Sequence, residues 1–165
     1  MIIVLFGQPT SGKTTLAKAY QMKLFLDYGV SVPIVDGDDI RAMFNNQDYS
    51  KEGRIKNLNR ISDIATFLNK QYHVVLVSAV YPIEEARTYL DQLNPEQVIW
   101  VYLTYQGERG REANHVKDFE LPNEFTIPNL LTLNTTTNGI EESVQKIRAF
   151  HRTISDAAQG AQVSI

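Results

Sequence analysis

The chain has 165 residues, of which 43% are hydrophobic, no cysteine, and a formal net charge of −3. This length fits one compact domain, and the apolar content is too high for a disordered chain. The acidic balance argues against nucleic acid as a partner, no apolar run approaches the roughly 18 residues of a membrane span, and the lack of cysteine excludes disulfides and thiolate chemistry. We therefore expect a cytoplasmic protein with no membrane partner and no leader sequence.

Short apolar runs alternate with longer stretches of helical periodicity. In chain order they predict strand 2–6, helix 13–28, strand 31–35, short helix 38–44, helix 51–71, strand 73–80, helix 82–93, strand 98–105, strand 129–134 and helix 139–154. This alternation predicts an α/β fold of three layers, in which a five-stranded parallel sheet is flanked by helices. Ligands of such sheets bind at the carboxyl ends of the strands.

One long polar stretch, 105–128, interrupts the alternation and is bounded by prolines. Such a stretch is typical of a surface loop or lid. We expect a single domain over residues 1–155 that includes this lid. The small and polar residues of 156–165 predict a frayed tail.

A phosphate-binding loop is predicted directly after the first strand. The segment "GQPTSGKT" fits G-x-x-x-x-G-K-[ST] and lies between a buried strand and a helix, as the motif requires. The backbone amides would surround a phosphate, the Lys13 ammonium would reach the β- and γ-phosphates, and the Thr14 hydroxyl would ligate Mg²⁺. The predicted ATP-binding residues are Gly7, Gln8, Pro9, Thr10, Ser11, Gly12, Lys13, Thr14 and Thr15. The alternative is a strand–helix turn with a chance lysine, and a GTPase is disfavoured because neither D-x-x-G nor N-K-x-D occurs.

Acidic and basic side chains lie together in "IVDGDDIR", after the second predicted strand. Asp36 should emerge near the γ-phosphate, where it could organise Mg²⁺ or take the proton of an acceptor hydroxyl. Asp38 and Arg41 share a helix face, and an arginine fork suits an oxyanion on the acceptor. The alternative reading has Asp38 as a helix cap and Arg41 as a solvated residue.

A local basic patch opens the helix at 51–71, in "SKEGRIKNLNR". Arg54 and Asn57 are neighbours at i, i+3, so they lie on one face of this helix. The patch is either part of an acceptor site or an ordinary solvated face. Because it is basic, nucleic acid stays an alternative partner.

Together these segments resemble the adenylylsulfate kinase family. In that family the phosphate loop is followed by D-G-D-x-x-R, by an aromatic-Ser, Arg and Asn series, and by a strand that ends in Ser-Pro-Tyr. This chain has "DGDDIR", "YSKEGRIKNLNR" and "SAVYP" in the same order. The resemblance implies a P-loop kinase fold and Mg²⁺-assisted transfer of the ATP γ-phosphate to the 3′-hydroxyl of adenylylsulfate, a step of sulfate assimilation. It implies an acceptor site formed by Asp38, Arg41, Tyr49, Arg54, Asn57, Val80 and Tyr81, with Tyr49 as an aromatic platform.

Several features depart from the family pattern. Tyr81-Pro82-Ile83 replaces Ser-Pro-Tyr, and residues 107–125 replace a longer lid with the R-D-P-K-G-L-Y signature. In this shorter lid Arg109 and Arg111 are predicted to stabilise the transferring phosphoryl charge, with a solvated loop as the alternative. We expect His115 to pack or to form hydrogen bonds rather than to act as a catalyst.

The altered lid leaves two rival functions open. One is a divergent kinase for another anionic hydroxyl compound, such as a nucleotide, a nucleic-acid end or a phosphorylated sugar. The other is a nucleotide-responsive binding module without catalysis, which the intact Lys13, Thr14 and Asp36 argue against. Enzymes of the family often form homodimers, although no interface pattern is visible in this sequence.

Overall fold

The computed structural model describes residues 1–107 and 116–162, with side chains up to residue 158. Its elements in chain order are β1 (Ile2–Phe6), α1 (Lys13–Tyr28), β2 (Ile34–Asp36), α2 (Gly37–Met43), α3 (Lys51–Asn69), β3 (Val75–Ser78), α4 (Glu84–Leu93), β4 (Val98–Thr104), β5 (Leu130–Asn134) and α5 (Ile140–Gln162). The strands form one parallel sheet in the order β2-β3-β1-β4-β5. The predicted α/β fold with a five-stranded parallel sheet is therefore confirmed.

Strand β1 is the central strand, and all five of its residues are buried. Alternate side chains point to opposite faces of a strand. Ile3 and Leu5 pack in the cluster that includes residues of α1 and α5, whereas Ile2, Val4 and Phe6 pack in the cluster that includes residues of α3 and α4. Helices therefore cover both faces, which explains the unbroken apolar run of this strand.

Several predicted boundaries are wrong: the strand predicted at 73–80 is Val75–Ser78, the helix predicted at 51–71 ends at Asn69, and three further boundaries differ for identifiable reasons. Strand β2 begins at Ile34 rather than at 31, after Pro33, which has no N–H to donate to a ladder. Helix α4 begins at Glu84 rather than at 82, because Ile83 keeps an extended backbone. Helix α5 continues to Gln162 rather than ending at 154, into the predicted tail, where alanines at 157, 158 and 161 favour helix.

The end of the predicted lid is attached to the body of the domain. The Glu120 N–H donates to the Pro82 carbonyl at 2.8 Å, and the Glu120 carboxylate accepts from the Glu84 N–H at the start of α4. The ring of Phe119 lies 6.0 Å from that of Tyr102. This half of the stretch is therefore docked against α4 and the sheet. Among the described helices, none has the length and apolarity needed to cross a membrane.

Candidate active site

The phosphate loop connects β1 to α1 at the carboxyl end of the central strand. Its first residue, Gly7, has a φ of +144°, and a Cβ at this position would collide with the carbonyl oxygen of Leu103. Only glycine tolerates both this positive φ and this close approach to a carbonyl oxygen. The Gly7 N–H donates to the Val80 carbonyl at 3.3 Å, and the Thr135 hydroxyl donates to the Ser11 carbonyl at 3.0 Å. The loop is thus held by the segments that follow β3 and β5.

Lys13 is the first residue of α1, and its ammonium lies inside the loop. Nζ donates to the carbonyl oxygens of Gln8 at 2.8 Å and of Gly7 at 3.2 Å. Burial lowers the pKa of Lys13 to about 8, although the nearby carboxylates of Asp38 and Asp36 act in the opposite direction. An oxyanion could take the place of the two carbonyls and would stabilise the charged form.

Three oxygen-bearing side chains meet beside the loop. The Thr14 hydroxyl donates to Asp36 Oδ2 at 2.8 Å and lies 3.1 Å from Ser78 Oγ. Asp36 ends β2 and Ser78 ends β3, so the adjacent parallel strands place them at one edge of the sheet. Hydroxyl and carboxylate oxygens are donors that Mg²⁺ accepts, and the set therefore fits this ion. No three His, Cys, Asp or Glu side chains cluster as a metal site within residues 1–107 and 116–162.

Asp36 is also the cap of α2. Its Oδ1 accepts from the Asp38 N–H at 3.0 Å. The alternative reading, in which Asp38 caps this helix, is wrong, because Asp36 lies one residue before the first helical residue, Gly37. Asp38 is exposed at the cleft, and within the described part of the chain nothing donates a hydrogen bond to its carboxylate.

A cleft of about 1110 Å³ opens from the phosphate loop toward α2 and the start of α3. It brings together most of the residues predicted for donor, metal and acceptor. The predicted residues that line it are Pro9, Thr10, Gly12, Lys13, Thr14, Thr15, Asp36, Asp38, Arg41, Tyr49, Arg54, Asn57 and Val80. Gly7, Gln8 and Ser11 belong to the loop but are not among the lining residues.

Two guanidinium groups flank Tyr49 at the far end of the cleft. The centre of the Arg41 guanidinium lies 4.4 Å from the centroid of the Tyr49 ring, and that of Arg54 lies 5.6 Å away. Arg41 Nη1 donates to the Asp48 carbonyl at 2.9 Å, and Arg54 Nε donates to the Tyr49 carbonyl at 2.9 Å. Burial and the positive charge of Arg41 lower the pKa of Arg54. Arg41 is therefore half-buried and attached to a loop, in contrast to the solvated alternative.

Two other predicted acceptor residues, Asn57 and Tyr81, are buried, and only Asn57 lines the cleft. Asn57 is buried and donates weakly to the Gly37 carbonyl at 3.5 Å, and no described residue donates a hydrogen bond to its Oδ1. Tyr81 is fully buried and does not line the cleft. Its ring packs against Trp100 and its hydroxyl lies 3.0 Å from Ser62 Oγ. The prediction that Tyr81 contacts the acceptor is thus contradicted by its position in the core.

Arg109, Arg111 and His115 lie outside the described residues, so their predicted roles stay predictions. Sequence reasoning missed Ser78, Ala79 and Pro82, which also line the cleft. Ser78 could have been found, because it ends an apolar run and the carboxyl ends of parallel strands share one edge of the sheet.

Comparisons with known proteins identify relatives of this chain. An adenylyl-sulfate kinase from Geotalea daltonii is 27% identical over 168 residues, which cover 92% of this chain and 82% of that protein. A cytidine diphosphoramidate kinase from Campylobacter jejuni is 28% identical over 159 residues, covering 88% of this chain and 93% of that protein. Other adenylyl-sulfate kinases align over shorter stretches, and the chain spans about half of their length.

The fold matches that of a solved P-loop kinase. The Mycobacterium tuberculosis APS kinase CysC, in complex with AMPPNP and APS, superposes with a TM-score of 0.78 at 24% identity, covering 92% of this chain and 96% of that chain. The sequence model described as "Adenylylsulphate kinase" matches residues 1–151. Members of that family are phosphotransferases that act on a hydroxyl group, and the chain belongs to the adenylylsulphate kinase family.

Proposed function

We propose that this chain transfers the γ-phosphate of ATP to the 3′-hydroxyl of adenylylsulfate, with Mg²⁺. The observation that carries the proposal is that one cleft joins a phosphate loop to a pair of guanidinium groups, with two aspartates at its edge. A phosphoryl donor and an anionic acceptor can therefore bind in the same space. Such proximity and orientation account for a large part of the rate of a transfer reaction.

On the donor side, Lys13 exchanges the carbonyls of Gly7 and Gln8 for phosphate oxygens. Its ammonium then neutralises charge that grows on the transferring group. The start of α1 adds backbone N–H groups and the positive end of a helix dipole.

Thr14 and Asp36 are the residues that would hold Mg²⁺, with Asp36 acting partly through water. The ion, when bound, neutralises phosphate charge and orients the γ-phosphate. Ser78 supports the pair from the end of β3 through its contact with Thr14. Both oxygens of Asp36 already accept hydrogen bonds, from Thr14 and from the Asp38 backbone, so its orientation is fixed.

Asp38 is the residue that we assign to the acceptor hydroxyl. Its carboxylate is exposed at the cleft. It is close enough to Lys13 for its charge to oppose the lowering of the Lys13 pKa by burial. A carboxylate in this place can accept the proton of a hydroxyl group that attacks the γ-phosphate. This role differs from the sequence-based hypothesis, in which Asp36 would either organise Mg²⁺ or take the proton of the acceptor hydroxyl.

Arg41 and Arg54 are proposed to bind the anionic part of the acceptor. Neither forms an ion pair with a carboxylate among the described residues. Two like charges beside one ring repel each other, and a sulfate or phosphate group would remove this repulsion. The Tyr49 side chain is 62% exposed, so its ring could also stack on a nucleobase.

A second acceptor class has specific support. The Campylobacter jejuni relative, a cytidine diphosphoramidate kinase, matches this chain over 93% of its own length. The segment Tyr81-Pro82-Ile83 also departs from the Ser-Pro-Tyr pattern of the adenylylsulfate kinase family, and Tyr81 is buried. The second candidate function is therefore phosphorylation of a cytidine diphosphate derivative at a sugar hydroxyl.

Steady-state kinetics with a panel of acceptors tests the proposal. We expect Mg-ATP to support phosphorylation of adenylylsulfate with a higher kcat/KM than of cytidine diphosphate derivatives, and no product from an uncharged nucleoside. Lys13→Ala should lower kcat by about 10²–10³, the range for loss of one preorganised electrostatic contact. A preference for the cytidine compound would replace the acceptor assignment, and phosphorylation of no acceptor would contradict the proposed function.

A further inference from the structure

A single side chain of the phosphate loop bonds both backbone polar groups of one residue, Val116, in a distant segment of the chain. Gln8 Oε1 accepts from the Val116 N–H, and Gln8 Nε2 donates to the Val116 carbonyl, each at 2.9 Å. A neutral carboxamide carries a donor and an acceptor side by side. Leucine or methionine at position 8 could make neither bond, and glutamate could make only the one in which it accepts.

The backbone of the same residue holds the lysine of the loop. The Gln8 carbonyl accepts from Lys13 Nζ at 2.8 Å, whereas its side chain binds Val116. The two contacts leave the residue little freedom, since both its carbonyl and its carboxamide have fixed partners. The position of the Lys13 ammonium is thus connected to the backbone at Val116 through one residue.

The segment after Val116 has anchors that do not involve Gln8. Phe119 packs beside Tyr102, and Glu120 is bonded to Pro82 and to the first residue of α4. Loss of the Gln8 side chain should therefore release Val116 while Glu120 stays docked. Because these anchors are independent of Gln8, the release of Val116 can be measured without unfolding of the domain.

We propose that Gln8 is a positioning residue for phosphoryl transfer, because its bond pair with Val116 fixes the loop backbone from which Lys13 reaches the phosphate. The role rests on the proposed function, since Lys13 can act on a transferring phosphate only if a phosphoryl group is transferred in this cleft. Preorganisation of a charged donor affects the transition state more than substrate binding. Loss of the pair should therefore lower kcat and leave the KM for ATP nearly unchanged.

The test compares Gln8→Met with Gln145→Met, a matched change at an exposed glutamine of α5. In Gln8→Met we expect hydrogen exchange of the Val116 amide to rise about 5- to 150-fold, the range for two neutral hydrogen bonds. We expect kcat to fall about 5- to 100-fold while the KM for ATP changes less than about threefold. Gln145→Met should match the wild type in both measurements.

Val116→Pro serves as a second variant, because it removes the N–H donor from the other side of the contact. It should lower kcat without raising the KM for ATP, as Gln8→Met does. Unchanged exchange in Gln8→Met would overturn the contact, and unchanged kcat or a loss confined to the KM would overturn the positioning role. If the wild type phosphorylates no acceptor, the proposed function fails and the positioning role falls with it, whereas exchange still decides the contact.

Discussion

Asp36 and Asp38 are two residues apart but have different surroundings. Asp36 accepts hydrogen bonds from Thr14 and from the backbone of α2, whereas Asp38 faces the cleft with a free carboxylate among the described residues. We expect Asp38→Asn to lower kcat by about 10²–10⁴, the range for loss of a general base, at any Mg²⁺ concentration. Asp36→Asn should also lower kcat, but added Mg²⁺ should restore part of it.

Kinetics of both variants over a range of Mg²⁺ concentrations check this division. If added Mg²⁺ rescues Asp38→Asn and leaves Asp36→Asn inactive, the two assignments must be exchanged. The KM for ATP should vary little in Asp38→Asn, because the loop itself is intact.

Arg41 is expected to contribute to acceptor binding rather than to the chemical step. Arg41→Ala should raise the KM for the acceptor about 10- to 150-fold where KM tracks binding, which corresponds to one lost charge-assisted hydrogen bond. Arg152→Ala on the exposed side of α5 is a suitable control and should have no effect. An unchanged acceptor KM in Arg41→Ala would show that this guanidinium only holds the 46–48 loop.

Sequence reasoning could place Lys13, Thr14 and Asp36 because a motif or a strand end determines each of them. Tyr81 could not be placed in this way. Its backbone has a φ of +44°, and its side chain is buried in the core instead of lining the cleft. Neighbouring Val80 and Pro82 do line the cleft, and no periodicity in the sequence distinguishes the three.

At the scale of elements, the start of α3 shapes the acceptor end of the cleft. Gly53 is buried against Asp48, and an added Cβ would lie 2.6 Å from the Asp48 carbonyl oxygen. That same carbonyl accepts from Arg41. We therefore expect Gly53→Ala to displace the loop, to lower the free energy of unfolding by about 1–3 kcal/mol and to raise the acceptor KM.

Denaturant unfolding and acceptor kinetics measure these two effects of Gly53→Ala. The control is Gly139→Ala, since a Cβ at Gly139 would meet nothing within 4 Å. Equal stability and equal KM in the two variants would mean that the loop adapts to the extra methyl group.

Helices α1 and α5 are joined by a partly buried hydrogen bond whose contribution to stability we expect to depend on pH. Tyr20 Oη and His151 Nδ1 are 2.8 Å apart, and burial together with the N-terminal ammonium lowers the pKa of His151 below 6.5. The unfolded chain then binds a proton at a higher pH than the folded chain does. The contribution of this residue to stability should be intact above about pH 6.5 and should decline as the pH falls toward the lowered pKa.

Urea unfolding between pH 5 and 8 checks this prediction by comparing the wild type with His151→Gln. The wild type should lose more stability than the variant toward low pH. Parallel curves for the two proteins would show that His151 does not titrate in this window.

At the scale of the whole molecule, the sequence predicted the α/β class, the five strands and the phosphate loop correctly. The regular alternation of apolar runs and helical periods carries that information. The strand order β2-β3-β1-β4-β5 and the loop that joins Arg41 to Tyr49 could not be predicted, because both depend on long-range packing. This order places Thr14, Asp36 and Ser78 together at one edge of the sheet, where we propose that the phosphate is transferred.

Label transfer in a single turnover tests the central claim most directly. The protein in excess over [γ-³²P]ATP, with Mg²⁺ and adenylylsulfate, should move the label to the acceptor and release little inorganic phosphate. Lys13→Ala should leave the label on ATP over the same period. Label that appears only as inorganic phosphate, or that stays on ATP in the wild type with every anionic acceptor tried, would contradict the account.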